Sequence, residues 1–148
     1  MSNTRFHHLG LKRQKPHKTP VQTNTMIKNY ALKKQQGDKG FYVEIFFEVA
    51  LTNNFGSRLK VEYLADPKWE AMCKAGLLLF HDYFIRKIKG DLEIRVHEIR
   101  WMPIDTNNLL VLYACVEALS DSLGLPIKGL SFDSGSGLFT FPDRRSLL

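Results

Sequence analysis

The run "FYVEIFFEVAL", residues 41–51, constrains this chain more than any other stretch. Phe41, Val43, Ile45, Phe47, Val49 and Leu51 share one parity, while Tyr42, Glu44, Phe46 and Glu48 share the other. Successive side chains leave a strand on opposite sides, so this alternation predicts a long strand with one buried face and a mixed opposite face. A helix of the same sequence would scatter those six apolar residues around its axis. The fold must therefore contain a sheet, and something apolar must cover it.

The rest of the chain supplies partners and cover. "TNNFGS", 52–57, reads as a turn. Leu59, Val61 and Tyr63 alternate with Arg58, Lys60 and Glu62 in a second strand, and the short turn predicts an antiparallel hairpin between the two. Asp66–Pro67 is a helix start, with Asp as N-cap and Pro at the first helical position. Trp69, Met72, Cys73, Gly76, Leu79, Phe80 and Tyr83 then recur at helical spacing as far as about Ile88, a stripe wide enough to lie on a sheet. Arg86, Lys87 and Lys89, followed by Gly90, suit the helix end.

Leu92, Ile94 and Val96 alternate again, but Ile99 and Trp101 continue on the other parity, which predicts a bulge near His97–Glu98. Pro103 ends that strand. Asp105 or Thr106 is the expected N-cap of a second amphipathic helix, marked by Leu109, Leu112, Tyr113, Val116 and Leu119 and stopped at Gly124. "LSF" and "LFTF" flank "DSGSG", a hairpin with a glycine-rich turn. The order ββαβαββ predicts an α+β two-layer sandwich, a mostly antiparallel sheet with two helices on one face.

Charge divides the 148 residues differently. Residues 1–40 hold nine Lys or Arg and one acid, Asp38, whereas residues 41–148 hold twelve basic and fourteen acidic residues. The formal net charge of +6 is thus +8 in the first forty residues and −2 in the remainder. This divides the chain into a basic arm, residues 1–30, expected to be disordered or extended, and a single α+β domain, residues 31–148. A basic arm points to a polyanionic partner, and the bland alternative is that it only solubilises.

The chemistry that would mark an enzyme is missing from the pattern. His81–Asp82 sits within the first helix, where adjacent side chains diverge by about 100°. His97 at the bulge could act as an acid or base, but an exposed strand histidine explains it as well. Asp133, Ser134 and Ser136 only loosely resemble a phosphate loop, because they join two strands. His7, His8 and His17 lack the spacing and partners of a zinc site. Cys73 and Cys115, each on an apolar helix, read as reduced, buried thiols. We expect no catalytic residue, no metal and no cofactor. No apolar run of about 18 residues and no signal-peptide core occur, so a cytoplasmic protein with no membrane partner is expected.

Three segments carry a family likeness. They are "KKQQGDKGFYVEIFFEV", a basic and glycine-punctuated run leading into the long strand; "KAG", Lys74 to Gly76; and "EIRV", Glu93 to Val96, followed by a loop, "IDTNN" and an apolar helix ending in glycine. In this order they resemble domain IV of elongation factor G, of the ribosomal-protein-S5-domain-2-like fold, over roughly Leu32 to Leu125. The resemblance implies that fold and contact with ribosomal RNA through the loops at one end. The GTPase of that family is absent, its glycine-rich stretch before the first helix is missing, and "RWMPID" replaces its histidine-bearing tip loop.

The residues expected to touch RNA are Lys33, Lys34, Lys39, Arg58 and Lys60, which would converge if the two first strands paired, with Arg100 and Trp101 on the loop matching the family's tip. Gly37 and Gly40 would let the backbone approach the ligand, and Tyr42 and Phe46 could stack on bases. Trp101, Tyr42 and Phe46 could equally be covered by the rest of the fold. The function expected is non-catalytic association with RNA or the ribosome. The alternative is a protein-interaction module that pairs with another chain through an exposed strand edge.

Overall fold

The structure is a computed structural model and describes residues 26–142. His7, His8, His17 and most of the basic arm lie outside the described residues. Among the described residues, six strands and two α-helices follow in the order β1 (Lys28–Gln36), β2 (Lys39–Thr52), β3 (Leu59–Tyr63), α1 (Glu70–Lys87), β4 (Asp91–Trp101), α2 (Asn108–Leu123), β5 (Ser131–Asp133) and β6 (Leu138–Thr140). The main sheet has the strand order β1-β2-β4-β3, and β5 and β6 form a separate two-stranded hairpin. The α+β two-layer sandwich is the architecture predicted from the alternation and helical stripes.

The core lies between the sheet and the two helices. Val43, Ile45 and Phe47 of β2 and Leu92, Ile94 and Val96 of β4 are buried, as their shared parity requires. They meet Cys73, Leu77, Phe80 and Phe84 of α1 and Leu110, Val111, Ala114 and Leu119 of α2. Each such side chain contributes about 1.5–3 kcal/mol of transfer free energy, before the entropy of ordering is subtracted. Asp66 caps the 3₁₀ turn Pro67–Trp69 that opens α1, its carboxylate accepting from the Lys68 N–H at 2.9 Å.

The bulge falls on β4. The β2–β4 register passes from Phe46↔Glu98 to Phe47↔Val96, which leaves His97 as the extra residue. That single insertion lets Ile99 stay buried on the core side although it has the parity of Glu93 and Arg95, which point to the open face.

Four expectations are corrected. First, Lys28–Gln36 is a strand that the sequence reading placed partly in the arm and partly in a basic lead-in. As an edge strand of "KNYALKKQQ" it needs only Tyr30 and Leu32 to face inward, so its apolar signal is short. Leu32 is buried, and burial, then Glu117 and Asp121, push the Tyr30 hydroxyl up to about 12. Lys28, Asn29 and Tyr30, assigned to the arm, therefore belong to the sheet.

Second, β2 and β3 do not form a hairpin. β4 lies between them, antiparallel to β2 and parallel to β3. The 53–58 connection needs to cross two strand spacings, about 9.6 Å, well within the reach of six residues at about 3.3 Å each. It is fastened to the start of β4 by Gly90 N–H to Gly56 O at 2.9 Å and Leu92 N–H to Arg58 O at 2.8 Å. The parallel β3–β4 pair requires a crossover, which α1 provides.

Third, the N-cap of α2 is Asn107, whose side-chain oxygen accepts from the Leu110 N–H at 2.9 Å. Thr106 instead bonds back to β2, through its hydroxyl to the Tyr42 carbonyl. Fourth, the five lysines and arginines expected to converge are split between the two ends of the sheet, because Arg58 and Lys60 follow β3 to its place beyond β4.

Candidate functional site

The β1–β2 hairpin turns at Gly37–Asp38, with Gln36 paired to Lys39. Gly37 has φ +62°, so the first central position of this two-residue turn demands a glycine. Gly40 serves a different need. A Cβ there would come within 2.7 Å of the Asp105 side chain, so its absence lets the 102–107 loop close against β2. The Tyr42 N–H donates to Asp105 O at 3.0 Å, and Met102 N–H to the Thr106 hydroxyl at 3.0 Å. The hairpin tip and the loop after β4 thus form one fixed end of the sheet.

Two adjoining shallow troughs run over that end, of about 610 and 300 Å³. Lys33, Tyr42, Arg100, Trp101 and Met102 line the first; Lys33, Lys34, Gly40 and Asp105 are among the walls of the second. Lys33 lies over the Tyr42 ring at 5.3 Å and Lys34 over Phe132 at 5.7 Å. Lys39 is exposed beside them. No ion pair to an acid is found for these three lysines among the described residues.

Arg100 and Trp101 are more committed. Arg100 bonds Glu98 at 3.0 Å and stacks over Phe46 at 4.6 Å, and that bond to Glu98 raises its already high pKa. Trp101 is half-buried, with its indole N–H donating to Asp66 at 3.1 Å, its ring edge-on to Trp69 at 5.5 Å and Lys68 over it at 4.2 Å. Tyr42 and Phe46 do lie on the open face of the sheet, partly exposed. Burial and the neighbouring Glu44, which the Tyr42 hydroxyl contacts, raise the tyrosine's pKa.

Arg58 and Lys60 belong to the far end. Lys33 pairs with Tyr42, whereas Lys60 is level with Glu93 and, through it, with Ala50. Eight residues of β2 separate the two levels, roughly 27 Å at about 3.4 Å per residue. Lys60 is also engaged by Glu93 at 3.5 Å.

Between the two ends the open face is a ladder of opposite charges. Arg95 bonds Glu62 at 2.7 Å and Glu48 at 3.6 Å, and Glu48 also bonds His97 Nε2 at 2.8 Å. A depression of about 140 Å³ is lined by Glu48, Lys60, Glu62, Glu93 and Arg95, whose charges answer one another. Such a surface is electrostatically spent and offers no track for phosphates. Among the described residues, no group of three or more His, Cys, Asp or Glu is placed to hold a metal, and no helix is long and apolar enough to cross a membrane.

The Met102 and Ile104 side chains at the tip went unnoticed in the sequence; Ile104 is 95% exposed. The signal was present in "RWMPID", where two apolar residues flank a strand-ending proline.

No family model matches the sequence, and no curated protein matches it either. A crystal structure of a protein from Thermus thermophilus is similar over 61% of this chain and 14% of that one, at 14% identity and a TM-score of 0.47. The chain thus spans about one seventh of that protein, and a likeness at this level carries no argument about family or activity.

Proposed function

We propose that the protein is a non-catalytic RNA-associated domain that receives RNA at the end formed by the β1–β2 hairpin and the 102–107 loop. The observation that carries this reading is Lys33 over the Tyr42 ring beside an open trough, with Lys34 lining the adjoining one and Lys39 exposed at the same hairpin end, none of the three in an ion pair among the described residues. Cations beside a partly exposed aromatic suit a single strand, whose phosphates the lysines neutralise and whose base the ring stacks. The resemblance to domain IV of elongation factor G points to the same end and makes the ribosome the natural RNA. The basic arm before β1 adds sequence-independent attraction.

A second reading rests on a separate observation. The outer edge of β1 has no strand partner among the described residues, and Met102 and Ile104 are exposed in the loop at one end of the same sheet, which suits addition of a strand from another protein.

Binding of a labelled oligoribonucleotide at about 50 mM salt, followed by a salt titration, separates the two. RNA association predicts an affinity that falls steeply with salt and that Lys33→Ala/Lys34→Ala weakens. Absence of binding at low salt would sink the RNA reading. The arm is tested by removing residues 1–25, because β1 belongs to the sheet and a cut at residue 40 would also remove the buried Leu32.

A further inference from the structure

The far end of the molecule holds a feature that the tip does not explain. Phe55 is 99% exposed, yet its loop is closely tied down. Asn54 Oδ1 accepts from the Gly56 N–H at 2.9 Å, and Asn54 Nδ2 donates to Asp91 Oδ2 at 2.8 Å. Asp91 Oδ1 accepts from the Arg58 N–H at 2.9 Å, and the Gly56 carbonyl accepts from Gly90. A bare aromatic ring is therefore presented on a fixed backbone.

Apart from Asp91, the charged residues of segments 52–58 and 86–91 are basic. Arg58 follows in the loop, and Arg86, Lys87 and Lys89 close α1 and lead into Gly90, which touches the loop. All four are exposed, and none has an ion pair to an acid among the described residues. Asp91 is the one acid in segments 52–58 and 86–91, and both its oxygens are held by the loop. Arg86 and Lys87 also complement the carbonyl end of α1, but Arg58 and Lys89 have no such duty.

We propose that this loop and the end of α1 form a second contact for single-stranded RNA, with Phe55 stacking on one base and Arg58, Lys87 and Lys89 holding the neighbouring phosphates. The inference rests on the RNA reading of the tip and extends it to the opposite end. A single projecting ring flanked by cations is the minimum a base and its phosphates require. A lipid-inserting or protein-docking surface needs contiguous apolar area, whereas the neighbours of Phe55 are Asn53, Asn54, Gly56 and Ser57.

The test uses the full chain and a labelled oligouridylate long enough to span both ends. Phe55→Ala should weaken binding roughly fivefold or more without changing the slope of log affinity against log salt, and Phe55→Trp should restore it. Arg58→Ala/Lys87→Ala/Lys89→Ala should lower that slope by about 2, at about 0.7 per phosphate contact on a single strand. The exposed ring makes Phe55→Ala safe for folding, which a thermal melt checks. If Phe55→Ala binds like the parent while Lys33→Ala/Lys34→Ala does not, the second contact is refuted and the tip reading stands. If the parent binds no oligouridylate, the RNA reading fails and takes this inference with it. Loss of binding to phosphatidylserine vesicles in Phe55→Ala, at unchanged oligouridylate affinity, would assign the loop to lipid and overturn the proposal.

Discussion

Gly76 sits where α1 crosses α2, and Gly76→Ala pits two effects of opposite sign against each other. Alanine in place of glycine within a helix gains about 1 kcal/mol from propensity alone. Against this, the added Cβ would lie 2.6 Å from the Leu112 carbonyl oxygen and 3.0 Å from the Cys115 Cβ. The nearer atom is backbone, so no rotamer change relieves the contact and the helices must part by several tenths of an ångström. Overpacking costs about 1–3 kcal/mol, and a clash with main chain belongs at the upper end. The net expectation is a loss of about 2 kcal/mol. For a chain of this size that lowers the melting temperature by roughly 4–8 °C. Urea titration should show a lower midpoint at unchanged slope, since the surface exposed on unfolding is the same. Ala71→Gly, on the exposed side of α1, supplies the control and should cost about 1 kcal/mol through propensity. A Gly76→Ala protein as stable as the parent, or more so, would refute the claim that the helices meet this closely.

Stability should fall as pH rises past the ordinary thiol and phenol values. The bond to Cys73, then complete burial, hold the Cys115 thiol well above its usual 9.0, and burial, then Glu117, raise Tyr113 above its usual 10.0. The native state keeps protons that the unfolded chain releases, so unfolding becomes easier above about pH 9 and more so above pH 10, which urea midpoints across that range will show. Cys73 and Cys115 are 0% and 2% exposed, so a thiol reagent should label neither quickly in buffer and both in denaturant. Equal rates in the two conditions would place them elsewhere. Trp101→Phe removes the N–H that donates to Asp66 and should cost about 1 kcal/mol in a chemical melt.

The sheet-and-helix plan was legible because its signals are periodic. Ile45, Phe47, Ile94 and Val96 declare one buried face, and the phase slip between Val96 and Ile99 points to a bulge near His97–Glu98, which the register puts at His97. Strand adjacency was less accessible. Alternation says which side of a strand is buried but not which strand lies beside it, and a six-residue connection fits both a hairpin and a step over β4. β1 escaped because an edge strand with few inward side chains has too few alternating positions to stand out from a basic lead-in. The candidate site shared this weakness. Lys33, Lys34, Gly40, Arg100 and Trp101 do gather at one end, but grouping Arg58 and Lys60 with them depended on a pairing of β2 with β3 that the sheet does not make. The cancelling of Lys60 by Glu93 and of Arg100 by Glu98 is also set by three-dimensional register and side-chain reach.

The place of β4 in the sheet has a consequence for how the chain is made. The β1–β2 hairpin closes over a two-residue turn and can form as soon as residue 47 is available. β3 has no such local partner. Each of its residues pairs 33 positions downstream, with a strand that follows α1 in the sequence. During synthesis from the N-terminus, β3 therefore waits through the whole of α1 before its ladder can form, and the long-range closure is expected to set the folding rate. A chain halted anywhere before residue 91 would hold β2 and β3 with the strand that joins them not yet written.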